Sequence, residues 1–244
     1  IQYLDWAGKA VRGNFGHSLF SREPVASMIV SRLGVTGQLA VFSLLFAVIF
    51  GIPLGVIAAT QPNSWIDRSA LGVAVFGQAI PNFWFGLILI VVFGVVLRWT
   101  PISGSNTLAH FILPTLTLGT SAMPAIMRLT RTGMLDVLDS DYVRTAHAKG
   151  LLPHTVLFKH ALRNAVLPVV SLSAVQLGFL LGGSVIVESV FALNGIGNLA
   201  FRSIQRLDFP VVQTILVFVS LIYVLLTFLS DLINAYLDPR LRVG

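Results

Sequence analysis

The chain has 244 residues, of which 55% are hydrophobic and 11% are charged, and its mean hydropathy is +0.85. Because soluble proteins average about 25% charged residues, this composition excludes an ordinary soluble domain and predicts an integral membrane protein. The net charge of +6 then reports mainly on orientation in the membrane, and the absence of cysteine excludes disulfides and thiolate metal sites.

The opening segment, residues 1–32, is polar and aromatic and lacks the charged start and apolar run of a signal peptide. We expect it to lie outside the membrane on the exterior side. Residues 33–237 are predicted to form the transmembrane domain, and residues 238–244 to form a cytoplasmic tail.

Charge-free intervals locate the predicted spans, because about 20 apolar residues in a helix cross a hydrocarbon core of about 30 Å. Five intervals are long enough: residues 33–66, 69–97, 99–127, 164–187 and 209–230. The sequence therefore predicts an all-α polytopic membrane protein with five spans. An odd number places the two chain ends on opposite sides, and we expect a sixth span to precede the first.

Polar residues near the spans form a candidate translocation path. Gln78 and Asn82 flank Pro81 and are four positions apart, so on one helix they would share a face. The full set of candidate path residues is Gln78, Pro81, Asn82, Phe83, Gln176 and Glu188. Two alternatives stay open, because proline is common in membrane helices and because Glu188 lies near the end of its span, where it could be a structural anchor.

Small residues recur at a spacing that lets membrane helices approach closely. Gly51 and Gly55 form one such pair, and Gly178 and Gly182 form another. We interpret both pairs as packing sites.

The loop at residues 132–163 is polar and basic, in contrast to the apolar sequence on either side. Taken with the carboxyl end and the residues that flank the spans on the same side, it holds more Lys and Arg than the short loops on the other side, which predicts that it faces the cytoplasm. Asp139, Ser140 and Asp141 can cap a short helix, and Gly150 can end that helix in a left-handed conformation. Pro153 suits the first position of a second helix. A basic loop lying on lipid headgroups would show the same spacing.

Motifs of known catalytic chemistry are absent from the sequence, including zinc-protease, serine-hydrolase and nucleotide-binding motifs. The five His are scattered without carboxylate or thiol neighbours that would complete a metal site. The sequence thus predicts a protein that is not an enzyme and binds no cofactor or metal. A proton-coupled carrier remains an alternative, although it would need an acidic residue deep in the membrane.

The cytoplasmic loop resembles the conserved motif of ABC-importer permeases of the dipeptide, oligopeptide and nickel subfamily. The resemblance rests on Tyr-Val-Arg-Thr-Ala-His-Ala-Lys-Gly at residues 142–150, His-Ala-Leu-Arg-Asn at 160–164 and Leu-Pro at 167–168. It extends to Ile-Pro-Asn-Phe at 80–83, Gly-Gly-Ser-Val-Ile-Val-Glu at 182–188 and Asp-Pro-Arg-Leu-Arg at 238–242. Essentially the whole chain is covered. The sequence departs from the pattern at Leu152, where a serine cap would be usual before Pro153.

What the resemblance implies is a type I, MetI-like permease fold in the bacterial inner membrane, with a further N-terminal span in family members. The permease would pair with a second homologous permease, two ABC ATPases and an extracytoplasmic binding protein, and no nucleic acid is implied. ATP and Mg would be bound by the ATPases. Peptides are the implied cargo, with glutathione or nickel as alternatives. The residues implied to couple to the ATPase are Tyr142, Arg144, Thr145, Ala146, His147, Lys149 and Gly150.

Overall fold

The computed structural model describes residues 2–237, a range that is α-helical and contains no β-strand. The prediction of an all-α protein is therefore confirmed. The predicted tail at residues 238–244 lies outside the described residues. The α-helices are α1 (Gln2–Val11), α2 (Val25–Thr60), α3 (Trp65–Ala79), α4 (Asn82–Leu89), α5 (Ile112–Leu138), α6 (Asp141–Ala148), α7 (Pro153–Thr155), α8 (Leu162–Ala165), α9 (Leu167–Val190), α10 (Ile196–Gln205) and α11 (Phe209–Leu237).

Three further segments are helical with a different pitch. The backbone is π-helical in Ile90–Val96, directly after α4, and again in Val156–Ala161, between α7 and α8. Leu108–Phe111 forms a 3-10 turn that leads into α5. The second π-helical segment lies in the loop that the sequence singles out, and π-helical turns are frequent at functional sites.

Within the described residues, two helices are long and apolar enough to cross a membrane, Val25–Thr60 and Phe209–Ile233. Two bent pairs raise this number to four if each pair is one span: Trp65–Ala79 with Asn82–Val96, bent by 98°, and Pro153–Ala165 with Leu167–Gly182, bent by 48°. Helix α5 carries Arg128 and Arg131 and is not in this set. The count of five spans stays a prediction.

The interval at residues 69–97 does not form one straight helix. Helix α3 ends at Ala79, and Ile80 is extended, with φ −77° and ψ 126°. Pro81 explains this end, since proline lacks an N–H donor and disfavours helical geometry in the residue before it. Helix α2 begins at Val25, earlier than the predicted boundary at residue 33, because Arg32 is accommodated within its first turns.

The described residues fall into two compact units. Unit 1 contains the residues up to 41, residues 82–117 and residues 179–224, and unit 2 contains residues 42–81, 118–178 and those from 225 onward. In unit 1, the start of α2 packs with α10 and α11 around one apolar cluster: Val25, Met28, Ile29, Ile196, Leu199, Val211 and Ile215.

In unit 2, the C-terminal half of α2 packs closely on α5. A Cβ atom at Gly55 would lie 2.6 Å from the carbonyl oxygen of Met127, and one at Gly51 would lie 3.1 Å from that of Met123. The interpretation of Gly51 and Gly55 as packing sites is confirmed. Gly182, in unit 1, differs from this interpretation, since a Cβ atom there would meet nothing within 4 Å.

Candidate functional site

The short helix predicted in the cytoplasmic loop is present as α6. Ser140 occupies the N-cap position with an extended backbone, although its side chain makes no capping hydrogen bond, and Asp141 places a negative charge in the first turn. Gly150 has a φ of +76° and ends the segment in the left-handed conformation that glycine adopts without steric cost. The predicted helix and its glycine stop are therefore confirmed.

The second helix also begins where the sequence places it. Pro153 is the first residue of α7, and Leu152 stands at the N-cap without a side-chain capping bond. The chain continues through the π-helical segment and α8 into α9, so that one nearly unbroken path joins the loop to a long apolar helix.

Helix α6 attaches to unit 2 through one apolar face. Val143 and Ala146 are 1% and 7% exposed and pack with Val156, next to Val137 and Leu138 at the end of α5. An isolated helix of eight residues is marginal in water, so this burial holds it in place. The side chain of Ala146 thus packs against unit 2, and its role in coupling stays a prediction.

The remaining predicted coupling residues lie on the outer surface of α6. Tyr142, Arg144, Thr145, His147, Lys149 and Gly150 are all exposed. The hydroxyl of Thr145 donates to the carbonyl of Asp141, so its methyl group faces outward with the neighbouring basic side chains. The structure brings these residues together as one basic, helical surface.

Arg144 is held only loosely. Its guanidinium contacts Asp139 at 2.8 Å and Asp141 at 3.7 Å, but the three side chains are 66%, 85% and 99% exposed, respectively. Ion pairs this exposed are screened by solvent and contribute little to stability. Arg144 is therefore able to exchange these partners for a carboxylate on another protein.

A hydrogen bond that the sequence spacing does not reveal joins α6 to α8. The Nδ2 atom of Asn164 donates to the hydroxyl of Tyr142 at 2.8 Å, across 22 positions of sequence. The same Nδ2 atom also lies 3.3 Å from the carbonyl oxygen of His160, which orients the amide. Asn164 appears in the motif at 160–164, but only the tertiary fold pairs it with Tyr142.

The structure does not arrange the candidate path residues as their sequence spacing predicts. Gln78 lies in the last turn of α3 and Asn82 begins α4, so the two do not share a face of one helix, and that prediction is wrong. The side-chain oxygen of Gln78 instead accepts a hydrogen bond from Arg128 at 2.9 Å. Pro81 and Phe83 are exposed, and Gln176 is partly buried, with its Nε2 atom 3.4 Å from the carbonyl oxygen of Ala122.

Glu188 lies in the core of unit 1 and has no exposed surface. The hydroxyl of Thr36 donates to its Oε1 at 2.8 Å, and the backbone N–H of Asn198 donates to its Oε2 at 2.9 Å. The carboxylate thus ties α2, α9 and α10 together. This burial supports the anchor alternative and argues against Glu188 as a residue that lines a path.

A second buried carboxylate, missed by the sequence analysis, lies in unit 2. Asp67 is 2% exposed and makes two parallel bonds to Arg131, at 2.6 Å to Nε and 2.7 Å to Nη2. The backbone N–H of Asn63 donates a third bond at 2.9 Å. The two charges stand 64 positions apart, and the only signal in the sequence is that both interrupt apolar segments.

Among the described residues, no group of three or more His, Cys, Asp or Glu side chains could hold a metal ion. A third buried carboxylate, Asp208 in unit 1, is 3% exposed and accepts hydrogen bonds from the Ser18 hydroxyl and, at 3.0 Å, from the backbone N–H of Leu19.

Comparison with known proteins places these features in a family. Residues 51–243 match the model of the family described as binding-protein-dependent transport system inner membrane component. The chain is 44% identical over 241 residues to the glutathione transport system permease protein GsiC of Escherichia coli (strain K12) and to that of Shigella dysenteriae serotype 1 (strain Sd197), covering 99% of this chain and 79% of each relative.

Among solved structures, the fold is similar to that of the MetNI methionine ABC transporter in an inward-facing conformation, in its CY5 native crystal form. The TM-score is 0.74 at 21% identity, and the match covers 88% of this chain and 99% of that chain. At this identity the likeness establishes the fold, which is the predicted MetI-like permease fold.

Proposed function

Since the chain belongs to the family of binding-protein-dependent transport system inner membrane components, and is thus a multi-pass permease subunit of an ABC importer, we propose that it carries peptide-class cargo across the inner membrane and couples through α6 to an ATPase. The protein itself supplies no catalytic step in this proposal. The partner ATPases bind ATP and Mg and hydrolyse the ATP.

The observation that carries the proposal is the two-sided character of α6. Val143 and Ala146 bury one face in unit 2, while Arg144, Thr145 and Lys149 project from the other. A helix that is fixed on one side and polar on the other can dock into a cleft of a second protein and pass movement into the membrane domain. A loop that only rests on lipid headgroups does not need such a fixed apolar face.

The proposed assembly contains a second homologous permease, two ABC ATPases and an extracytoplasmic binding protein that docks on residues 1–32 and 189–209. ATP binding draws the ATPases together, and the coupling helices transmit that movement to the spans. Each ligand can shift the balance between inward-open and outward-open states only by its different affinity for the two states.

Cross-linking with a matched pair of variants tests the coupling role. The chain has no native cysteine, so Ala148→Cys places one thiol on the exposed face of α6, and Ala146→Cys places one on the buried face. We expect a short bifunctional reagent in native membranes to capture an ABC ATPase from Ala148→Cys and much less from Ala146→Cys. Absence of any nucleotide-binding partner from both Ala148→Cys and Thr145→Cys would refute the coupling role.

The cargo is proposed at the level of its chemistry, as a small peptide. Glutathione is the second candidate, because the 44% identical relatives are named as glutathione transport permeases and because glutathione is itself a tripeptide. Uptake of labelled dialanine, labelled glutathione and nickel, in cells with and without this protein, separates the three possibilities. Uptake that persists after ATP depletion and stops with a protonophore would instead support a proton-coupled carrier.

A further inference from the structure

We propose that Tyr142 and Asn164 are positioning residues that clasp the coupling helix to the foot of α9, so that α6 and α9 move as one body. This inference rests on the proposed coupling function. We call the hydrogen bond between the Tyr142 hydroxyl and the Asn164 amide the clasp.

Apolar packing alone does not fix the orientation of α6. Val143 and Ala146 are one helical turn apart and contact Val156 through short side chains. Such contacts are non-directional, so they resist separation of α6 from unit 2 more than they resist rotation about the helix axis. A directional bond from a different side of α6 is needed to fix that rotation, and the clasp is such a bond.

The clasp ends on a rigid point of the fold. Ala165, the neighbour of Asn164, is 1% exposed, and a Cβ atom on Gly133 of α5 would lie 2.9 Å from its carbonyl oxygen. Helix α8 is therefore wedged directly against α5. The amide of Asn164 is oriented further by its 3.3 Å contact with the carbonyl of His160. The backbone under Asn164 is thus fixed, whereas the two side chains of the clasp are themselves exposed to solvent.

The clasp also lies close to the point where the loop joins α9, so a movement of the loop would be transmitted there. Asn164 belongs to α8, and α9 begins at Leu167, three positions later, with a bend of 48° between the two helical segments. If α6 moves, the clasp transmits this movement to Asn164, next to the bend, and from there to α9. Without the clasp, α6 can rotate on its apolar face before α9 responds.

The ion pairs of Arg144 do not connect α6 to α8 or α9. Arg144 pairs with Asp139 and Asp141, which precede α6 or begin it, so these ion pairs stay within the loop and do not reach α8 or α9. The clasp, in contrast, runs from α6 to α8.

Spin-label distances test the clasp without any knowledge of the cargo. The labels are attached at Asp141→Cys, whose side chain is 99% exposed, and Val170→Cys on α9, which is 37% exposed. The whole transporter, with its partner permease and ATPases, is measured without nucleotide and after trapping with ATP and orthovanadate. We expect one narrow distance distribution that is the same in both states.

Removal of the clasp is expected to separate the two helices in the trapped state. With Tyr142→Phe or Asn164→Ala, the fraction of molecules at the parental distance should fall relative to the displaced fraction by about twofold, the lower end of the net contribution of a neutral hydrogen bond, because both side chains are exposed to water. Asn164→Asp should restore part of the loss, since the Tyr142 hydroxyl can donate to the new carboxylate, although the carboxylate cannot donate to the His160 carbonyl as the amide does.

Three results would overturn the inference: a Tyr142→Phe distribution identical to the parent, a loss in Asn164→Asp equal to that in Asn164→Ala, or a parental distance that changes on trapping. None of these three results bears on the cross-linking experiment with Ala148→Cys. If that variant captures an ATPase and the clasp variants behave like the parent, the coupling role stands and only the clasp is rejected.

Discussion

Two of the buried carboxylates among the described residues, Asp67 and Glu188, are stabilised in different ways. Asp67 of unit 2 is neutralised by the guanidinium of Arg131, whereas Glu188 of unit 1 accepts hydrogen bonds from the Thr36 hydroxyl and the Asn198 backbone. A charge that is removed from water needs either an opposite charge or several donors. The comparison shows that Asp67 depends mainly on one charged side chain, whereas Glu188 depends on a neutral hydroxyl and on the backbone at the start of α10.

The largest effect is expected from Arg131→Ala. This change leaves the Asp67 carboxylate buried beside one backbone N–H, and loss of one partner of a buried ion pair costs about 3 kcal/mol or more. The free energy of unfolding in detergent, measured by denaturant titration, should fall accordingly. The double variant Asp67→Leu with Arg131→Met serves as control and should recover most of the loss, because it removes both charges. If Arg131→Ala were as stable as the parent, the ion pair would not be the element that holds Asp67.

The next largest effect is expected from Thr36→Val in unit 1. The Thr36 hydroxyl donates to Glu188 and accepts from the backbone N–H of Ile196 at 2.8 Å, so its loss leaves two buried groups without this partner. We expect a decrease of about 2 kcal/mol in unfolding free energy, seen as a lower Tm.

Thr214→Val is the matched control for that variant. Thr214 is also buried in unit 1, at 1% exposure, but its hydroxyl donates to the Pro210 carbonyl of its own helix. The same chemical change should therefore cost less there. Equal losses in Thr36→Val and Thr214→Val would show that burial of the hydroxyl, and not its bond to Glu188, decides the stability.

A smaller effect is expected from Gly195→Ala, which tests how closely the backbone encloses Glu188. A Cβ atom at Gly195 would collide with the Glu188 carboxylate, and overpacking of this kind costs about 1–3 kcal/mol. The cost should be at the lower end, since the backbone φ of −101° causes no strain for alanine. Gly34→Ala and Gly37→Ala in α2 are controls that meet nothing within 4 Å and should keep or raise the Tm.

The smallest effect is expected from Asp139→Asn at the exposed ion pair of Arg144. Both side chains are largely exposed, at 85% and 66%, so the Tm should not change measurably. This outcome would sharpen the contrast with the buried carboxylates. A clear loss of stability would show that Arg144 is held more firmly than its exposure indicates.

Local chemistry made parts of the fold predictable. The course of α6 follows from its N-terminal acidic residues and from Gly150, and the start of α7 follows from Pro153. The same local reasoning failed at Gln78 and Asn82, where a helical face was assumed to continue past Pro81. It failed because the four-residue spacing holds only where the helix is unbroken.

The membrane class, the helical content, the short helix α6 and the permease family could all be predicted from the amino-acid sequence, since each depends on composition or on motifs of adjacent residues. The packing of the helices, in contrast, settles that Ala146 faces inward, that Glu188 bonds to Thr36 and Asn198, that Asp67 pairs with Arg131 and that Tyr142 meets Asn164. The physical reason is that side-chain bonds between distant segments depend on how the helices pack, and hydrophobic periodicity carries no information about which polar groups then meet.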